Sequence, residues 1–229
     1  STGLKQNGSL TVATTQDRLE ELKRQVTFAQ RFDIEAKEVN SEEIKEIYPL
    51  INVEDIVGGV FITRDGQADP VGVANVLAKA ARQNGAQIIE KCPVKKILKK
   101  NNKIVGVETN KGKIECEYVV LATGMWSRQI AQDIDVSIPL YPDEHFYVLS
   151  EPIKEIDKSL PVLRDYNNCL YLKEDAGKLL VGIFEGRSIP AFEKTNKVPN
   201  DFSFGEFPEN FDHFEPYLEA SFKRVPLLE

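Results

Sequence analysis

Histidine, methionine and tryptophan are scarce here: two histidines, one methionine and one tryptophan in 229 residues. The two histidines, His145 and His213, are too few for a histidine-rich metal site, so no metal is expected. Cys92, Cys116 and Cys169 are widely spaced. They make neither a metal-binding spacing nor a disulfide framework, which favours a reducing compartment. No apolar run is long enough to span a bilayer, and nothing near the start has the shape of a signal peptide. An excess of positive charge is absent too: the net charge of -7 argues against nucleic acid and anionic membrane surfaces as partners. With 41% hydrophobic residues, the chain suffices for one large domain or two small ones.

What is present is organised around Tyr118-Val119-Val120-Leu121-Ala122-Thr123-Gly124. The aliphatic, β-branched run predicts a strand buried on both faces, as inside a parallel sheet. Ala122, Thr123 and Gly124 strip bulk from its carboxyl end, where open α/β sheets bind ligands. The plain alternative is a buried strand closed by a glycine turn.

Before it, residues 9–13 read as a strand. Thr14 or Thr15 caps a helix from Gln16, with Leu19, Leu22, Val26, Ala29 and Phe32 as a packing stripe. Asn40 and Glu43 form a capping box for a shorter helix that stops before Pro49. Residues 56–62 read as a strand. Asp69 and Pro70 start a helix that Gly85 ends, and its alanines suit close packing on a sheet. Residues 87–90 read as a strand. A meander of antiparallel strands, 94–98, 104–109 and 113–120, follows.

Beyond Trp126 a short helix is expected over 127–133, and an alternating strand over 144–150. A hairpin spans 169–173 and 178–184. An irregular loop covers 188–210, and a closing helix covers 211–223. Period-two spacing puts His145 and Tyr147 on one face of their strand. Arg164 suits a bidentate grip on a carboxylate, or a pair with Asp165 or another acid.

The words Gly8-Ser9-Leu10-Thr11-Val12-Ala13-Thr14, Asp65-Gly66-Gln67-Ala68-Asp69-Pro70 and Ala122-Thr123-Gly124-Met125-Trp126 occur in that order. Glu144-His145-Phe146-Tyr147-Val148, Leu160-Pro161-Val162-Leu163-Arg164-Asp165 and Arg224-Val225-Pro226-Leu227 follow. Together they make the chain resemble the flavin-dependent dimethylglycine and sarcosine dehydrogenases, among the D-amino-acid-oxidase-like flavoproteins. The resemblance covers nearly the whole chain. It implies a mixed α/β (α+β) fold: a substrate domain with a mixed, largely antiparallel sheet and helices on one side, plus part of a Rossmann-like FAD domain. The implied boundaries are residues 1–66 and 137–229 for the substrate domain and 67–136 for the partial FAD domain.

The implied activity is oxidative demethylation of an N-methyl amino acid, dimethylglycine or sarcosine, by hydride transfer to FAD. Tetrahydrofolate would enter through a C-terminal domain missing here. The location is cytoplasmic, or the mitochondrial matrix in a eukaryote. The family's Gly-x-Gly-x-x-Gly, which holds the flavin pyrophosphate, does not occur. The chain therefore reads as an interior fragment, expected to be inactive alone. The alternative is a non-catalytic regulatory or scaffolding relative that keeps the fold.

By the same resemblance, Val94, Ala122, Thr123, Gly124 and Trp126 are the cofactor-binding candidates. Val94 reads equally as an ordinary strand valine, and Trp126 as an anchor for the helix after it. His145 and Tyr147 are the catalytic candidates. Hydride loss from an N-methyl carbon needs the nitrogen lone pair free. A histidine suits removal of the ammonium proton, and a tyrosine hydroxyl can orient the amine or the carboxylate. A histidine satisfied within the sheet and a tyrosine packed on the core are the plain alternatives.

Overall fold

The computed structural model describes residues 1–154 and 156–229. The chain forms two compact units: Ser1–Lys79 with His145–Arg187 and Glu209–Glu229, and Ala80–Glu144 with Ser188–Pro208. The divisions fall at 79/80 and 144/145, beside sequence-based boundaries at 66/67 and 136/137. Residues 188–208 belong to the second unit.

The first unit is built on a seven-stranded mixed sheet. Its strands are β1 (Ser9–Ala13), β2 (Ala36–Val39), β3 (Gly58–Ile62), β7 (Tyr147–Leu149), β8 (Val162–Asp165), β9 (Leu170–Asp175) and β10 (Lys178–Ile183). The order is β2-β3-β1-β8-β9-β10-β7. All neighbours are antiparallel except β1 and β8.

Alternation sorts the two faces. Leu10, Val12, Leu163, Leu170, Leu172, Val181 and Ile183 point to one side, where they form the main core. Helices α2 (Ser41–Ile47) and α5 (Phe211–Arg224) close that side with Ile44, Phe214 and Leu218. Helix α1 (Gln16–Gln30) packs Leu22 and Val26 on the other face, against Ala13, Ala36 and Val60. The β8-β9-β10-β7 half of that face carries His145, Tyr147, Arg164 and Tyr171.

The local signals for helix starts hold. Thr15 accepts from the Arg18 amide, and Asn40 with Glu43 makes a reciprocal capping box. Asp69 accepts from the amides of Val71 and Gly72 at the start of α3 (Pro70–Gln83). Gly85, at φ 87°, ends that helix.

The second unit holds the three-stranded antiparallel meander β4 (Val94–Lys100), β5 (Lys103–Thr109) and β6 (Gly112–Glu115), and the short helix α4 (Ser127–Gln132).

Several expectations are corrected. Residues 118–121 form no strand, and Tyr118 and Val120 are each 86% exposed. A strand needs a neighbour to take its amides and carbonyls. Among the described residues no strand pairs with this run, and its side chains are only partly covered, Val119 and Leu121 more than Tyr118 and Val120. Residues 87–90 likewise form no strand. Helix α3 has no buried residue, so its small face lies on no sheet. Among the described residues the one parallel pair joins β1 and β8, not the run at 118–121. Phe32 lies beyond the end of α1 and is exposed rather than part of the packing stripe.

Candidate active site

Strand register fixes the site. Gly182 of β10 stands opposite Tyr147 on one side and Tyr171 on the other. Tyr171 in turn stands opposite Arg164 of β8. Directly opposed residues share a face, so Tyr147, Tyr171 and Arg164 project together from the open face. The leucines flanking Tyr171, Leu170 and Leu172, point the other way into the core.

Gly182 lets this row close up. A Cβ there would collide with the Tyr171 ring at Cζ, Cε1 and the hydroxyl. The Tyr171 ring thus lies flat across β10, and its oxygen reaches Nε2 of His145 at 3.2 Å. The two rings are parallel within 2°, with centroids 6.0 Å apart. Phe184 packs against both, at 5.0 Å from His145 and 5.2 Å from Tyr171. Burial, with a smaller contribution from nearby Tyr147, pushes the Tyr171 hydroxyl above the ordinary tyrosine range. The phenol therefore stays protonated at neutral pH and can donate a hydrogen bond.

Both catalytic candidates read from sequence lie on this face. His145 falls just before β7, and Tyr147 is its first residue. The phenol that reaches His145 is Tyr171, which the sequence reading passed over. Its signal was present: Tyr171 alternates with buried leucines, and a glycine stands opposite across the hairpin.

On the opposite face, Arg224 donates to Asp165 and to both oxygens of Asp55. Asp165 is therefore unavailable to Arg164. The His213 amide donates to the Asn210 side chain, which caps α5, and its ring meets the Glu185 carboxylate at 3.2 Å.

The cofactor candidates lie in the second unit. Val94 opens β4, paired with Thr109, and is partly exposed. Ala122, Thr123 and Gly124 are exposed. Gly124 has φ 55°, and a Cβ there would meet nothing within 4 Å. Thr123 shares a 2.9 Å hydrogen bond with Ser127. A bare, uncovered main chain of small residues fits a nucleotide laid along it. Trp126 donates from its indole to the carbonyl of Pro199 at 2.9 Å, which ties it to the 188–208 segment. Among the described residues no group of three or more His, Cys, Asp or Glu side chains could hold a metal ion. No helix among them is long and apolar enough to cross a membrane.

The family model for the DAO FAD dependent oxidoreductases matches residues 1–228. The chain belongs to this FAD dependent oxidoreductase family. It is 36% identical, over 100% of its length and 26% of the relative's, to the mitochondrial pyruvate dehydrogenase phosphatase regulatory subunit of Mus musculus. It is 35% identical to the mitochondrial sarcosine dehydrogenase of Homo sapiens, over 100% of this chain and 25% of that one. To the mitochondrial dimethylglycine dehydrogenase of Mus musculus it is 32% identical, over 99% and 27%. The chain thus spans about a quarter of the length of these relatives. Among solved structures, L-proline dehydrogenase from P. horikoshii superposes with a TM-score of 0.81 at 28% identity, covering 98% of this chain and 57% of that one. The mixed sheet and its helices are the fold of this FAD dependent oxidoreductase family.

Proposed function

We propose that this chain is part of an FAD-dependent oxidoreductase that oxidatively demethylates an N-methyl amino acid, sarcosine or dimethylglycine. The observation that carries this reading is the His145 Nε2 to Tyr171 hydroxyl pair on the open face of the sheet. FAD, when bound, supplies the acceptor for the hydride from the N-methyl carbon. The chain's own residues prepare the amine. His145 takes the ammonium proton, because only the neutral amine has a lone pair to stabilise the cation that hydride loss creates. Tyr171 keeps its proton and orients the imidazole and the amine. Tyr147 flanks the same space across Gly182. Val94 and the main chain of Ala122, Thr123 and Gly124 would hold the dinucleotide, with Trp126 tying their loop to the carbonyl of Pro199.

The likeness to sarcosine and dimethylglycine dehydrogenases supports the substrate class. The likeness to a phosphatase regulatory subunit favours a second reading, a regulatory module that keeps the fold. Flavin absorbance of the full-length gene product, followed anaerobically with and without each amine, separates the two. Bleaching by sarcosine or dimethylglycine supports the enzyme. A spectrum unmoved by either supports the module. In the enzyme, His145→Ala and Tyr171→Phe should each slow bleaching about 10²-fold or more.

A further inference from the structure

His213 stands behind the sheet and touches the chain neighbour of two rings on the open face. Its Nε2 lies 3.2 Å from Oε1 of Glu185, the residue after Phe184. Its ring packs on Phe146, the residue after His145, with centroids 5.0 Å apart. Alternation explains the arrangement. Successive side chains of an extended chain point to opposite faces. Phe184 and His145 project in front, where their rings are 5.0 Å apart. Glu185 and Phe146 project behind, towards α5.

The main chain is thinly held at this place. β7 starts only at Tyr147, and β10 ends at Ile183. At the end of the ladder the Ile183 amide donates to the Phe146 carbonyl at 3.2 Å, and the Phe184 amide to the Cys169 carbonyl at 2.8 Å. Beyond them Glu185 depends on its side chain. That side chain is 3% exposed, and among the described residues its one hydrogen-bond partner is His213. His213 is itself fixed in the first turn of α5, where its amide donates to the Asn210 side chain.

A buried carboxylate with one partner adds little stability. Replacing a buried polar pair of this kind by apolar residues of similar volume is often neutral or stabilising. What the hydrogen bond adds is a fixed direction and distance. We propose that His213, acting through Glu185 and Phe146, is a positioning residue for His145. It fixes the main chain at 145–146 and 184–185 from behind, and so sets how Phe184 seats the His145–Tyr171 pair in front. This rests on the reading of His145 as the base, and adds what holds that base in place.

The test uses the full-length flavoenzyme. Glu185→Met combined with His213→Phe keeps volume and loses the bond. Its melting temperature should equal or exceed that of wild type. Its flavin reduction at saturating amine should slow about ten- to hundredfold, the scale of a misplaced catalytic group. Glu185→Gln, whose amide can still meet Nε2, should keep most of the wild-type rate. In a His145→Ala background the paired change should slow nothing further, because the group it positions is gone. Phe184→Leu alters a ring that is 65% exposed. It should slow reduction to a similar extent, and it serves where the paired variant does not fold. Where His145→Ala is slow, a wild-type rate in the paired variant or in Phe184→Leu overturns the proposal. So does a loss from the paired change that is equal with and without His145.

Isotope-labelled histidine rings, read by NMR, separate this claim from turnover. The signal missing from His145→Ala belongs to His145. It should move in the paired variant, as the ring current of Phe184 falls on it differently, and stay in place in Glu185→Gln. A signal that stays in place in the paired variant overturns the positioning even where the amines are oxidised. If it moves while His145→Ala reduces flavin at the wild-type rate, the positioning stands and the catalytic reading fails.

Discussion

Arg224 donates from Nε to Asp165 Oδ2 at 2.8 Å, with both side chains cut off from solvent. The pair joins the C-terminal helix α5 to β8, the strand that carries Arg164 on its other face. Asp165 also accepts from the amide and side chain of Asn168. Arg224→Ala would leave Asp165 charged, buried and without its guanidinium. The expected cost is about 3–5 kcal/mol, typical of a broken buried pair. Urea unfolding followed by circular dichroism would check it. A loss below about 1 kcal/mol, the surface-pair range, would show that the network relaxes into solvent.

The outer end of the network sets an acid limit. Hydrogen bonds from Arg224 hold the Asp55 carboxyl below its ordinary range, against a smaller opposing effect of burial. A folded-state pKa below the unfolded one means that the ionised form stabilises the fold. That stabilisation is present above the unfolded value, about 4, and disappears as the pH falls through the folded one. Asp55→Asn should flatten the fall in melting temperature on this acid side. A profile identical to wild type below about pH 4 would contradict it.

The alkaline limit lies at Tyr48. Among the described residues its buried hydroxyl has no hydrogen-bond partner, and burial pushes its pKa well above the tyrosine range. The unfolded chain gives up that proton above about pH 10, while the folded chain resists. Stability therefore falls as pH rises beyond that value. Tyr48→Phe removes both the unsatisfied group and this sensitivity. It should stabilise the protein by about 1 kcal/mol at neutral pH, the low end for an orphaned buried donor. A variant less stable than wild type in urea would mean that the hydroxyl has a partner after all.

Gly182→Ala tests the site through the backbone alone. The added methyl takes the space of the Tyr171 ring. Flavin reduction in the full-length enzyme should slow as it does in Tyr171→Phe, about 10²-fold. An alanine variant with wild-type rates would show that the phenol is not needed over β10.

The features legible in the sequence were those whose physics is local. A capping box needs only Asn40 and Glu43, and Thr15 only the amide three residues on. The β9–β10 hairpin is written in its own alternation and turn. The site was half legible. His145 and Tyr147 are two residues apart on one chain, so their shared face follows from period two. Tyr171 joins them only through register across Gly182, a relation between segments that no window contains. β2 escaped because its buried ends, Ala36 and Val39, face opposite sides of the sheet. Residues 118–121 failed in the other direction, since a strand-like composition makes no strand without a neighbouring edge.

The indole of Trp126, tied to the carbonyl of Pro199, is the chain's sole tryptophan. The second unit therefore owns the molecule's only strong intrinsic fluorophore. The seven-stranded sheet, with its tyrosines, is almost dark at excitation wavelengths selective for tryptophan. Emission reports release of the 188–208 segment, and far-ultraviolet dichroism reports chiefly the sheet and the longer helices. Two optical channels recorded on one sample can thus tell whether the units melt together or in turn, with no label added.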